Sequence, residues 1–239
     1  MALSAVIVGR GAMGRAIEEA WLGRGHAVAQ RLGHDDQLAG EGVDVAFEFT
    51  RPEAAASRVA ELLERRIPTV CGTTGWDAGP ARELAARLGV PLLVAANFSI
   101  GIAVMRRLVA EAARALAPFS EFEPGIVERH HSRKKDSPSG TAKLLAAAVA
   151  EARGGEPPPV VALRQGGVPG EHTVLFEGAD ESLELVHRVR SRKVFAAGAV
   201  AAGEWLAAQR PAGPVTFEEF LAQRLPAVSR MEDAIHGTL

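Results

Sequence analysis

The stretch Leu3-Ser-Ala-Val-Ile-Val-Gly-Arg-Gly-Ala-Met-Gly14 decides the fold. Residues 3–8 form a short apolar run of the kind that makes a strand buried on both faces. Gly9, Gly11 and Gly14 follow at G-x-G-x-x-G spacing, and a helical pattern over residues 16–24 closes at Gly25. In that context each glycine has a task. The first permits a tight turn, the second lets a pyrophosphate reach the backbone, and the third lets the helix pack on the sheet. The helix start then meets phosphate charge. Gly9, Arg10, Gly11, Ala12, Met13 and Gly14 are therefore candidate dinucleotide contacts.

Working outward, strand-like runs at 27–30, 43–49, 69–71 and 91–96 alternate with helical patterns at 52–66 and 80–88. That alternation predicts an α/β, Rossmann-like parallel sheet. The rhythm changes after Asn97. A long helix over 100–116, a strand over 121–129 and three strand-like segments at 160–164, 172–176 and 183–189 predict a second, α+β domain. A helix over 195–209 follows. The expected division is residues 1–98 plus about 203–239 for dinucleotide binding, and 99–202 for substrate.

Ligands of open parallel sheets lie across the carboxyl ends of the strands. Thr50, Gly72, Thr73, Thr74, Ala95, Ala96, Asn97 and Phe98 end predicted strands and are candidate cofactor contacts. At the end of the second strand Arg31 stands where a carboxylate would hold the ribose hydroxyls of NAD. An arginine there suits a 2′-phosphate, although Asp35 and Asp36 follow closely.

Composition narrows the classes. The chain has 239 residues, 47% of them hydrophobic, and a formal charge of −2, which gives no general reason to expect nucleic acid. Its single cysteine, Cys71, excludes an intrachain disulfide and reads as a packed thiol. With no signal peptide and no membrane-length apolar run, a cytoplasmic, membrane-free protein is expected.

The second informative stretch is Ile126-Val-Glu-Arg-His-His-Ser-Arg-Lys-Lys-Asp-Ser-Pro-Ser-Gly-Thr-Ala142. It sets His130, His131, Lys134 and Lys135 beside a helix start, with Ser137 as the expected N-cap and Pro138 at the first helical position. Ser139, Gly140 and Thr141 then offer backbone amides and hydroxyls where the helix dipole favours an anion. A carboxylate held there, next to a group titrating near neutrality, is ready for proton transfer. No metal is expected, because no further Cys or His stands at ligand spacing. No G-x-S-x-G elbow occurs for nucleophilic chemistry.

These residues resemble the dihydrodipicolinate reductase family, also called the 4-hydroxy-tetrahydrodipicolinate reductases. The likeness runs in order through Val8–Gly14, Phe49–Glu53, Gly72–Gly75, Asn97–Gly101, Glu128–His131, Lys134–Ala142, Gly170–His172, His187 and Phe195–Ala199. The glycine loop is one residue shorter than the family's common form, and the tail after Phe220 is longer. The resemblance implies NADPH- or NADH-dependent reduction of 4-hydroxy-tetrahydrodipicolinate, a small cyclic dicarboxylate, in lysine biosynthesis through diaminopimelate. By position His130 and Lys134 match the family's catalytic pair, and His131, Ser139, Gly140 and Thr141 its substrate contacts. It further implies a homotetramer joined through the mixed sheets of the second domain. Two other readings stay open on the residues alone: another Rossmann dehydrogenase, and a non-catalytic nucleotide-binding regulator.

Overall fold

The computed structural model describes residues 1–33, 35–39 and 42–224. In chain order the elements are β1 (Ser4–Val8), α1 (Ala12–Leu22), β2 (Ala27–Leu32), β3 (Val45–Glu48), α2 (Pro52–Glu64) and β4 (Thr69–Cys71). Then come α3 (Gly79–Leu88), β5 (Leu92–Val94), α4 (Ile100–Leu116), β6 (Glu123–His130), α5 (Gly140–Arg153) and β7 (Val160–Arg164). The last are β8 (Glu171–Glu177), β9 (Ser182–Arg188), α6 (Lys193–Gln209), β10 (Pro214–Val215) and α7 (Phe217–Ala222). The chain forms two compact units, Met1–Ala96 with the chain from Ala199 onward, and Asn97–Gly198.

The first unit holds a six-stranded sheet in the order β10-β5-β4-β3-β1-β2, every pair parallel. Consecutive residues of its central strands, such as Ala5–Val8 and Val45–Phe47, have no exposed surface, as strands covered on both faces require. The edge strand β2 instead alternates exposed and half-buried positions. After β2 the chain returns to the far side of β1 with β3, which creates a topological switch point beside the glycine loop. Gly203 of α6 faces Phe47, where a β-carbon would lie 2.4 Å from the ring.

Two local expectations need correction in this unit. The first helix begins at Ala12, inside the glycine motif, because Gly11 is already its N-cap. The strand β10 and helix α7 were not expected at all. Thr216-Phe-Glu-Glu219 carried the signal: Thr216 and Glu219 form a reciprocal capping box at the start of α7.

The second unit holds a four-stranded sheet in the order β7-β6-β8-β9, with β6 parallel to β7 and antiparallel to β8. Ile126, Val174 and Phe176 of the sheet pack with Ile102, Met105 and Val109 of α4 and with Leu145 and Val149 of α5. Strand side chains alternate between faces. Val127, Val161, Leu163 and Val186 accordingly fall on the opposite face and are exposed. Among the described residues no helix is long and apolar enough to cross a membrane.

Candidate active site

Glu128 and His130 are two residues apart on β6, so both face the helices α4 and α5. Opposite them in register lie His172 of β8, paired with Glu128, and Arg164 of β7, paired with His130. Both Glu128 and His172 are buried. One carboxylate thus anchors residues from three strands and a helix start. Glu128 Oε1 accepts the Ser139 amide at 2.9 Å and Arg164 Nη2 at 2.7 Å. Glu128 Oε2 lies 2.6 Å from His130 Nδ1 and 3.9 Å from His172 Nε2. The His130 contact is close but not an aligned hydrogen bond, for among the described residues neither atom meets hydrogen-bond geometry with any partner, and it becomes an ion pair when the imidazole is protonated.

The electrostatics follow from that arrangement. Burial alone would raise the Glu128 pKa, but hydrogen bonds from Arg164 and Ser139 outweigh it and hold the carboxylate below its usual range. Burial pulls the His130 imidazole below its ordinary value; Glu128 opposes this, while Lys134 and Arg164 add to it. His172 is pulled down to about 4, by burial first and then by neighbouring His130.

Neutral histidines fit their partners here. The Ser139 hydroxyl accepts from the Ala142 amide at 3.2 Å, so its own proton is free for His172 Nε2, also at 3.2 Å. Ser99, the N-cap of α4, repeats the pattern with the Ile102 amide and His187 Nε2, at 3.2 and 3.4 Å. The helix α5 therefore starts at Ser139, two residues later than expected: Ser139, not Ser137, is the cap, and Pro138 precedes it. Glu128 supplies the reason, since it fixes the Ser139 amide in extended backbone.

The remaining site residues gather at the same helix start. Gly140 is exposed and Thr141 half-buried in its first turn. Thr141 Oγ1 accepts from Asn97 Nδ2 at 3.1 Å, which ties the entry to α4 to this turn. Lys134 is half-buried, 2.7 Å from Asp136, whose pKa is lowered chiefly by that hydrogen bond. His131 Nδ1 is buried and has no hydrogen-bond partner among the described residues. Behind His130, a β-carbon on Gly170 would come within 3.2 Å of Nε2.

Sequence reasoning missed Glu128, Arg164 and His172 as a group. It had found no ligand set beside His130, yet the ligand atoms of Glu128, His130 and His172 lie within 4.8 Å of one another. The Arg164 guanidinium and the Ser139 amide already hold one oxygen of Glu128, which gives the cluster the character of an ion-paired network.

In the first unit the glycine loop has the properties a pyrophosphate cradle needs. Gly9 has φ +125°, and a β-carbon there would lie 2.4 Å from the Phe49 carbonyl oxygen. A β-carbon on Gly14 would lie 1.8 Å from the Gly9 carbonyl oxygen, while one on Gly11 would meet nothing within 4 Å among the described residues. Gly11 makes no side-chain cap, so the first amides of α1, around Ala12 and Met13, are left to a ligand. Beyond β4, Thr73 Oγ1 is buried with no hydrogen-bond partner among the described residues, and Thr74 is exposed. Gly72 presses on the Phe49 ring, and Thr50 donates to Glu48. These features fit a dinucleotide. Arg31 pairs with Glu18 of α1, and Arg10 with Asp36. Of the other strand-end residues, Ala95 and Ala96 end the first of the two chain segments that make the first unit, and Asn97 and Phe98 open the second unit.

The fold is Rossmann-type, and the family profiles and named relatives make the class that of an oxidoreductase. Two family profiles cover the chain: "Dihydrodipicolinate reductase, N-terminus" over residues 23–98 and "Dihydrodipicolinate reductase, C-terminus" over residues 101–221. The chain belongs to the dihydrodipicolinate reductase family. It is 45% identical over 169 residues to the 4-hydroxy-tetrahydrodipicolinate reductase of Stenotrophomonas maltophilia strain R551-3, covering 70% of this chain and 69% of that one. The enzyme of the same name from Christiangramia forsetii is 34% identical over 220 residues, 85% of this chain and 92% of that one. A dipicolinate-bound dihydrodipicolinate reductase from Paenisporosarcina sp. TG-14 shares the fold. Its TM-score is 0.75 at 23% identity, covering 92% of this chain and 99% of that one.

Proposed function

We propose that this chain reduces 4-hydroxy-tetrahydrodipicolinate to tetrahydrodipicolinate, in the cytoplasm, on the diaminopimelate route to lysine. The observation that carries the reading is the convergence of His130, Lys134 and the open first turn of α5 on one network. The conversion needs loss of the 4-hydroxyl as water and addition of one hydride and one proton. When bound, a reduced nicotinamide supplies the hydride. The amides of Gly140 and Thr141 hold a substrate carboxylate, Ser139 aims them, and Lys134 and His131 offset its charge. His130, or Lys134 beside it, delivers the proton.

Residues 1–98 with about 203–239 serve the cofactor, and 99–202 the substrate. Both NADPH and NADH are accepted, because Glu18 offsets the charge that Arg31 would offer a 2′-phosphate. The exposed apolar face around Val127, Val161, Leu163 and Val186 supports a homotetramer formed through this sheet. The test is loss of NADPH or NADH absorbance with substrate made in situ by the preceding synthase. Oxidation dependent on that substrate is expected. No oxidation with either nicotinamide would refute the activity and favour a nucleotide-binding regulator.

A further inference from the structure

The proposed chemistry leaves the Glu128 carboxylate without a task. A charge with no exposed surface is expensive to bury unless it is paired and hydrogen-bonded. The two oxygens of Glu128 divide their contacts. Oε1 takes the Ser139 amide and Arg164. Oε2 faces His130 Nδ1 at 2.6 Å. Arg164 also donates to the Asp136 carbonyl at 2.6 Å, so the loop that leads into α5 is pinned to the same carboxylate.

We propose that Glu128 is a positioning residue, a single buried carboxylate that locks the anion-holding start of α5 to the imidazole of His130. The inference rests on the proposed function, because Glu128 acts through His130. The carboxylate oxygen 2.6 Å from Nδ1, although not aligned as a hydrogen bond, favours the neutral ring's proton on that nitrogen by its charge, which leaves Nε2 to exchange a proton with substrate. The negative charge also favours the imidazolium that must form. Among the described residues the other charged or titratable groups around the ring are Lys134 and Arg164, which disfavour that cation, Asp136, which favours it, and His172, which is neutral until the pH falls to about 4. Replacing Glu128 by a neutral residue leaves burial and these cations opposed by Asp136 alone.

The experiment is steady-state kinetics against pH for Glu128→Gln, Glu128→Asp and His130→Gln in the full chain, with substrate made in situ. His130 gives its proton from the charged form, so kcat/KM is lost on the alkaline side as that form disappears. Glu128→Gln is expected to move this loss about one pH unit lower, the shift an opposite charge at this range produces. Its kcat should fall about tenfold or more through misplacement, with KM for the nicotinamide unchanged. Glu128→Asp keeps the charge, so its profile stays in place while kcat falls. A Glu128→Gln profile superimposed on the wild-type one, with His130→Gln impaired, overturns the positioning role and leaves the proposed function standing. Near-normal turnover of His130→Gln also overturns the positioning role, because Glu128 acts through His130, whereas absence of turnover in the wild-type chain overturns the proposed function. A second measurement needs no Glu128 variant: imidazole nitrogen NMR of the wild-type chain, with His130 assigned by its absence in His130→Gln. The neutral ring is expected to carry its proton on Nδ1, and a proton on Nε2 overturns the proposal.

Discussion

In the proposed function the starts of α1 and α5 each receive an anion, and the two are built by opposite means. At α1 the geometry comes from backbone alone. Gly9 and Gly14 approach so closely that neither accepts a β-carbon, and the N-cap Gly11 uses no side chain. At α5 the cap is a serine whose amide and hydroxyl are both engaged, and the surroundings are a buried network of Glu128, Arg164, His130 and His172. A backbone cradle suits a ligand group of fixed charge. A titratable network suits a ligand that must gain a proton.

The largest expected effect breaks the chemistry of the second start while sparing the first. His130→Gln should lower kcat by about 10²–10⁴-fold, the usual worth of a positioned acid. NADPH affinity, read by fluorescence titration, should stay unchanged.

Acid should separate the two regions next. His172 titrates at about 4 in the folded chain against an ordinary 6.5, so folding favours its neutral form. Its contribution to stability is complete above pH 6.5 and is lost as pH falls towards 4. The lost amount is about 3 kcal/mol at the shift given, by the linkage of pKa to stability. Denaturant melts of the wild type should weaken through that window, and those of His172→Gln should be flatter there.

A methyl group sharpens the contrast further. Gly14→Ala must displace the Gly9 carbonyl and should cost about 1–3 kcal/mol as overpacking, with NADPH binding weakened. A β-carbon on Gly140 meets nothing within 4 Å among the described residues. Gly140→Ala should therefore melt within about 0.5 kcal/mol of wild type, as surface changes do, and show its effect only in the KM for substrate. The smallest effect is expected from Arg31→Ala. Since Arg31 is half-exposed and already paired with Glu18, the ratio of NADPH to NADH efficiency should change by less than about threefold, in keeping with the small worth of exposed pairs.

The same contrast explains what could be read from sequence. A backbone cradle is written locally: three glycines between a strand and a helix are enough to find it. The long helix Ile100–Leu116 and the strand Val160–Arg164 were likewise legible to the residue, because periodicity is local. The network is not local. Glu128 and His130 share a strand face, which their spacing of two could have revealed, but Arg164 and His172 join them only through strand pairing. The misplaced cap has the same origin. Ser137-Pro138 is a good local start signal, and the buried carboxylate that moves the start to Ser139 comes from another element. Pro214–Val215 was missed because two residues carry no period.

Cys71 closes β4 with no exposed surface, its thiol 3.0 Å from Glu48, and burial and that carboxylate push its pKa far up. The thiolate is the reactive species, so this sulfur is silent towards alkylating reagents. As Cys71 is the chain's single cysteine, the native protein already serves as a blank for labelling. A cysteine introduced at any exposed position would carry a spin label or fluorophore alone, and one in each unit would report the distance between the units as ligands bind.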